Sequence, residues 1–137
     1  MTVSGLEAMM HEVDGEIRVL EGALREGRLE LAPAVEHALR LVNRLMLAFA
    51  GAADHPLSGV DEQADPLEVF KVFVKGDPSL NAVRDNLREL VYYRNCLAGG
   101  REDALPPHPL AMTVRTLRHI YLYMRTRAIK DFGLTEA

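Results

Sequence analysis

The stretch LEAMMHEVDGEIRVLEGAL, residues 6–24, decides the fold class, because its apolar residues recur at alternating steps of four and three. This spacing places one apolar stripe along one side of an α-helix and leaves the charged residues on the other side. The stripe consists of Leu6, Met10, Val13, Ile17, Leu20 and Leu24. It predicts a first helix over residues 4–26, with Gly27 placed to cap its C-terminus.

Three further segments carry the same helical period and predict long helices over residues 32–50, 77–98 and 109–130. Pro33 stands in the first turn of the second of these four helices, where a missing N–H costs nothing, and Gly133 closes the last one. A short connection between the first two helices predicts that they pack as an antiparallel hairpin.

Residues 51–64 contain Gly, Pro, Ser, Asp and His without a period and predict a loop. Asp65, Pro66 and Glu68 then form a helix start, with an N-cap, a first-turn proline and an acidic third position. The short apolar run that follows, up to Gly76, fits a short helix or a strand, and the cap favours the helix. The sequence therefore predicts one all-α domain over 1–137, an up-and-down bundle of four main helices plus one short helix.

The composition of the chain and its first residues indicate the cellular compartment to expect. The single cysteine, Cys96, cannot form an intrachain disulfide, and the first residues lack the basic segment of a signal peptide. The longest apolar run, 45–53, has nine residues, against about 20 needed to cross a bilayer. These observations predict a cytoplasmic protein with no membrane-spanning segment.

Charge is divided unevenly between the two halves. Residues 1–65 carry 12 acidic and 5 basic side chains, a net −7, whereas residues 66–137 carry 8 acidic and 11 basic ones, a net +3. The basic half fits an anionic partner, but the asymmetry also fits two faces of one bundle, or of a homodimer, that attract each other. The overall net charge of −4 opposes strong nonspecific binding to nucleic acid.

Familiar catalytic and metal-binding motifs are missing from the sequence. Glu7, His11 and Asp14 share one helix face, but no second helix offers a matching set of ligands, and Arg18 gives Asp14 an ordinary ion-pair partner. There is no Gly-x-Ser-x-Gly, phosphate loop or paired-cysteine motif, and Cys96 is expected to be a small buried residue. No metal or cofactor is therefore predicted.

Tyrosines and arginines occur together in the second half of the chain and could stack on nucleic-acid bases, although at helical spacing such residues are more often core and rim. They are Tyr92, Tyr93, Tyr121, Tyr123, Arg115, Arg118, Arg125 and Arg127. His119, beside Arg118, is expected to be a surface or interhelix hydrogen-bonding residue rather than a base.

One polar pair, Arg94 and Asn95 in the stretch VYYRNCLAGGR (91–101), falls on or beside the apolar stripe of the fourth helix. An arginine near a helix C-terminus interacts favourably with the helix dipole, and its stem covers apolar neighbours. Capping of the last turn therefore explains the charge, but it does not explain the asparagine or the two glycines that follow.

The segment LRELVYYRNCLAGGR, residues 87–101, resembles the signature of the HEPN (higher eukaryotes and prokaryotes nucleotide-binding) superfamily. In that family a helical Arg, usually followed by a polar residue such as Asn, is separated from a later His by four to six residues. The resemblance implies a small, commonly dimeric helical bundle, and active members are metal-independent ribonucleases, many in toxin–antitoxin or other defence systems. Their arginines and histidines meet in a cleft at the dimer interface.

Arg94 and Asn95 match this signature, but the positions expected for His hold Gly99, Gly100 and Arg101. The other formal pair, Arg101 with His108, spans a proline-containing loop and lacks the polar second residue. Near-neutral histidine can move the protons of metal-free RNA cleavage, whereas arginine stabilises phosphate charge. The resemblance therefore implies a non-catalytic member, with Arg94, Asn95, Arg101 and His108 as the ligand-binding candidates.

Three functions are open at this stage. The first is a HEPN-like homodimer that binds RNA or a nucleotide without cutting it. The second is a helical protein-interaction or adaptor module whose basic half docks an acidic partner. The third is an enzyme of another type, which no group of residues in the sequence supports. Apolar residues off the main stripes favour a homodimer in either of the first two cases. They are Met9, Val19, Val91, Ile120 and Ile129.

Overall fold

The computed structural model describes residues 2–134, and within that span the chain forms helices and no strand. The α-helices are α1 (Val3–Arg25), α2 (Leu31–Ala52), α3 (Pro66–Gly76), α4 (Arg84–Ala98) and α5 (Pro109–Phe132). Two 3-10 helices, Pro78–Val83 and Glu102–Ala104, precede α4 and α5. The all-α prediction is confirmed.

The four long helices pack as an up-and-down bundle with α2 and α5 in the middle, because each of these two contacts both α1 and α4. They run parallel, and Phe49 and Phe132 near their C-terminal ends lie 5.1 Å apart between ring centroids. Helices α1 and α4 run the other way. Leu134, just after α5, lines a groove with Glu7 near the start of α1, and Ser79, just before α4, is bonded by Arg127 near the end of α5.

The apolar stripe predicted for α1 lies in the core from Leu6 to Leu20, and Leu24 at its end is half-buried. The five apolar residues outside the main stripes, which favour a homodimer in the sequence, do not all lie at the surface of the bundle. Val91 and Ile120 are 3% and 1% exposed and belong to the same core, so they offer nothing to a dimer interface. Val19 is 71% exposed. The periodicity of the sequence indicates which face of a helix is apolar. The neighbouring helices in the bundle decide how wide the buried part of that face is.

The short third element is a helix, as its cap predicted: Asp65 accepts a hydrogen bond from the Leu67 N–H at 3.1 Å. The fourth helix starts later than predicted, because residues 78–83 form a 3-10 helix. Asp77 accepts from the Ser79 N–H, and Arg127 donates to the Ser79 hydroxyl at 2.9 Å. These side-chain contacts hold the tighter turn in place before α4 begins.

Helix α2 is three residues longer than predicted, one at its start and two at its end, and the connection that follows it (53–65) returns along the outside of the bundle. The buried Asn43 side chain fixes the end of this connection by donating to the Glu62 and Ala64 carbonyls at 3.1 and 2.9 Å. Asp65 and the start of α3 are thereby placed beside the middle of α2.

Between residues 2 and 134, no helix is long and apolar enough to span a membrane.

Candidate functional site

Arg94 projects from the second-to-last turn of α4 toward the start of α3. Its Nη2 lies 3.8 Å from Asp65 Oδ1 and 3.4 Å from the Asn95 side-chain oxygen, and 27% of the side chain is exposed. The guanidinium thus reaches the N-cap of another helix and not the last carbonyls of its own. This corrects the prediction that Arg94 caps the last turn.

The backbone itself ends α4. The Arg101 N–H donates to the Cys96 carbonyl at 2.7 Å and the Gly100 N–H to the Leu97 carbonyl at 3.4 Å, the paired bonds of a Schellman motif. Gly100 takes the left-handed conformation that this motif requires, with φ of 69°. The second glycine of the pair is therefore explained by helix termination. Cys96 is buried, as predicted.

Arg94 stands between two adjoining hollows. The first, about 110 Å³, lies between α2 and the 62–66 segment and is also lined by Arg40, Asn43 and Asp65. The second, about 230 Å³, lies between α2 and α4. Its lining is mainly aliphatic and consists of Ala32, Val35, Glu36, Arg94, Leu97 and Ala98. Arg94 is thus the cationic group at the junction of a polar and an apolar hollow.

The partly buried arginines differ in how tightly they are paired. Arg44, Arg118 and Arg127 each have a carboxylate oxygen at 2.6–2.7 Å, whereas the nearest to Arg94 is at 3.8 Å. Hydrogen bonding to Glu21 is the main reason why the pKa of Arg118 is raised above its usual value, against the opposing effect of burial. Arg40 makes no ion pair within the described part of the chain. Of these arginines, Arg94 has the most distant carboxylate partner and is the one that reaches both hollows, so it is the cation best placed to bind an added anion at this site.

Asn43 is a buried polar residue in the lining of the first hollow. Its side chain is 1% exposed, its Nδ2 is used by two backbone carbonyls, and its Oδ1 has no partner among residues 2–134. The two hydrogen bonds to the 62–64 backbone account for a polar residue at this position, whereas the unpaired Oδ1 acceptor is unfavourable. Sequence reasoning missed Asn43 and Arg40. The available signal was a polar pair, Asn43 and Arg44, within the long apolar stretch of α2.

Of the other predicted site residues, Asn95 contacts Arg94, whereas Arg101 and His108 make no contact with it. Asn95 is exposed next to it, whereas Arg101 pairs with Asp103 at 3.2 Å in the connection between α4 and α5. His108 is the exposed N-cap of α5, with φ of 55°, and makes no side-chain capping bond. Among the described residues, no histidine lines either hollow beside Arg94.

The weaker candidates are accounted for by packing. Asp14, from the acidic set on α1, binds Arg18 at 2.9 Å and Arg118 at 2.6 Å, and the described residues hold no group of three or more potential metal ligands. Tyr93 and Tyr121 are buried, and Tyr92 donates its hydroxyl to the Ala104 carbonyl. His119 is exposed on α5.

No family model matches the chain, and no curated protein or solved structure matches it.

Proposed function

We propose that this protein is a non-catalytic HEPN-like homodimer that binds RNA or a nucleotide, with Arg94 as the contact to phosphate. The observation that carries the proposal is the position of Arg94, partly exposed between two hollows with its nearest carboxylate at 3.8 Å. A phosphate oxygen at 2.7–2.9 Å would be a closer partner than Asp65 is.

The charges around Arg94 indicate the side from which a phosphate would approach. Glu36, Glu62 and Asp65 line the first hollow and repel an anion there. The second hollow contains one carboxylate, Glu36, and otherwise aliphatic side chains. A nucleotide would therefore place its phosphate on Arg94 from the second hollow, where Ala32 and Leu97 provide an apolar surface for a base or sugar.

The chemistry available at this site favours binding without cleavage. Cleavage of RNA without a metal requires a group that removes and returns a proton at near-neutral pH, and histidine is the usual one. Gly99 occupies the first position where the family signature has its histidine. The resemblance supports a role in a toxin–antitoxin or other defence context, with the dimer bringing two copies of Arg94 to one cleft.

The experiment that tests this function compares four proteins: wild type, Arg94→Ala, Arg94→Lys and the control Arg115→Ala, whose side chain is exposed on α5. Fluorescence anisotropy with a short labelled single-stranded RNA gives the Kd of each at two salt concentrations. We expect Arg94→Ala to weaken binding about tenfold, Arg94→Lys to restore part of it, and Arg115→Ala to bind as wild type does. Equal binding by wild type and Arg94→Ala contradicts the proposal.

A gain-of-function variant tests the resemblance separately. Gly99 has a φ of −91°, which any residue adopts, although an added Cβ would lie 3.2 Å from the Asn95 carbonyl and requires a small shift. We expect Gly99→His to begin cleaving RNA and Gly99→Ala not to do so. Light scattering on the same samples measures whether the protein is dimeric. A Gly99→His protein that folds, binds RNA and leaves it intact argues against a HEPN-type site.

The alternative is a protein-interaction module, and one observation favours it. The three carboxylates beside Arg94 already balance part of its charge, so the site can serve to hold α3 against α2 and α4. If none of the proteins above binds RNA, the search moves to protein partners, and the role expected of Arg94 is a structural link between α4 and the start of α3.

A further inference from the structure

A second cavity lies away from Arg94, at the end of the bundle where α2, α3 and α5 finish. Its volume is about 530 Å³, within the range of pockets that bind small organic molecules. Most of its wall is apolar. The main apolar side chains are Phe49, Leu57, Val72, Phe73, Leu80 and Phe132.

Three phenylalanine rings shape this wall. Phe49 meets Phe73 edge to face, with centroids 6.0 Å apart, and meets Phe132 in a similar way at 5.1 Å. Such pairs fix ring orientation. Phe49 and Phe73 are each 3% exposed, and Phe132 is the ring of the three that is partly exposed. The cavity is therefore suited to an aromatic or branched apolar body.

The polar edge of the cavity is acidic. Asp77 and Asp131 line it, and Arg127 binds one oxygen of each, at 2.7 and 3.0 Å. One guanidinium against two carboxylates leaves a net charge of −1 at this edge. The remaining ionisable residue in the described lining is His55, which lies in contact range of Gly76.

The two carboxylates differ in what they can still accept. Asp77 is already used on both oxygens, since Oδ1 accepts from the Ser79 N–H and hydroxyl and Oδ2 accepts from Arg127. Asp131 receives Arg127 on Oδ2, and no described residue donates to its Oδ1. Asp131 therefore offers an oriented anionic acceptor at the mouth of an aromatic cavity.

We propose that this cavity binds a small organic cation, a primary amine carried on an aromatic or branched apolar body. The ammonium group would donate to Asp131 Oδ1, and the body would lie against Phe49, Phe73 and Phe132. An organic acid of the same shape would meet the negative edge and be rejected, because like charges at this distance repel. This site is independent of the proposed RNA contact, which lies near the opposite end of α4.

The absence of tryptophan from the sequence gives a direct assay. Tryptamine, an indole with a primary amine, can be excited selectively, and its emission and anisotropy then report the bound ligand alone. Indole-3-propionic acid is a probe of similar size and opposite charge, and indole is the neutral control. We expect tryptamine to bind about tenfold or more tightly than either control, in line with one charge-assisted hydrogen bond.

Two variants locate the binding. Asp131→Asn keeps the shape of the side chain and removes its charge, so the preference for tryptamine over indole should disappear. Val72→Phe fills the cavity and should abolish binding of all three probes. Asp103→Asn, at an exposed carboxylate paired with Arg101, is the matched control and should bind as wild type does.

Far-UV circular dichroism establishes that each variant keeps the helix content of wild type. The proposal is overturned if wild type binds the amine, the acid and indole equally, or binds none of them. It is also overturned if folded Asp131→Asn keeps the full preference for tryptamine or folded Val72→Phe binds unchanged. Because no RNA is involved, failure here leaves the function proposed for Arg94 unaffected.

Discussion

Arg118 on α5 lies 104 residues after Asp14 in the sequence, yet its Nη1 lies 2.6 Å from Asp14 Oδ1 and joins α5 to α1. The same guanidinium donates to Glu21 from Nε and Nη2, at 3.2 and 2.7 Å. Its Cζ lies 5.3 Å from the centroid of the Tyr121 ring. The acidic first half of the chain and the basic second half thus attract each other inside the fold. Part of the charge asymmetry is therefore used by the bundle itself.

Replacement of Arg118 by Met is expected to lower the free energy of unfolding by about 2 kcal/mol. The substitution leaves Asp14 and Glu21 without their shared cation, and loss of one partner of a charged, mostly buried hydrogen bond has this magnitude. Urea unfolding followed by circular dichroism measures the change. Arg115→Met, at an exposed position on the same helix, should stay within about 0.5 kcal/mol of wild type. Equal stability of the two variants would show that the link contributes nothing.

Asp14 predicts how stability depends on acid. Burial alone would raise the pKa of Asp14, but hydrogen bonds from Arg118 and Arg18, together with their charges, lower it below 3.8. The unfolded chain, with a carboxyl pKa of about 3.9, then binds more protons than the folded protein at low pH. The stability from Asp14 is therefore complete above about pH 4 and is lost as the pH falls through the folded value.

The measurement is the difference in unfolding free energy between wild type and Asp14→Asn, from urea titrations at several pH values from 2 to 6. It should be largest at pH 6 and should shrink below pH 4. Asp85→Asn removes a carboxylate that is 84% exposed, so its difference from wild type should stay near zero throughout. A difference for Asp14→Asn that does not change with pH would show that the ion pairs are not the cause.

Leu45 tests the central position of α2. It is fully buried, and its replacement by Ala should destabilise the fold by about 3 kcal/mol, through lost burial and the cavity left behind. Leu45→Met keeps the volume and should cost less than about 1.5 kcal/mol. Thermal or urea unfolding of both variants gives the comparison, and a loss below 1 kcal/mol for Leu45→Ala would contradict this packing.

Asn43 is expected to hold the end of the 53–65 connection against α2. Asn43→Ala leaves the Glu62 and Ala64 carbonyls without their donor, at a cost of about 1–3 kcal/mol. Hydrogen exchange should rise in residues 60–66 more than in the rest of the chain, because their link to α2 is lost. Asn81→Ala, at an exposed position, is the control and should leave this segment unchanged.

Most of the fold was predictable from local pattern. The period of residues 6–24 predicted which side of α1 is buried, and the Asp65 cap decided between helix and strand for α3. The 3-10 helix before α4 was not predictable, because it depends on Arg127, 48 residues away from Ser79 in the sequence. A stripe indicates which side of a helix is buried, but it does not identify the neighbouring helix.

The site was predictable only for Arg94 and Asn95, which are adjacent in sequence. Arg40 and Asn43 join them because the connection 53–65 folds back against α2, and no local pattern encodes that return. The ion pairs that Arg118 and Arg127 form with carboxylates could not be predicted for the same reason. Composition shows that arginines are present, whereas only the fold shows which of them are already neutralised.

The central position of α2 affects how the chain is made. During synthesis α2 is complete before α3, α4 and α5 exist, although all three pack against it. Until α5 has left the ribosome, the side of α2 that packs against α5 in the folded protein faces water. The nascent chain therefore keeps part of the apolar surface of α2 exposed until α5 is made, and transiently exposed apolar surface of this kind is prone to aggregation.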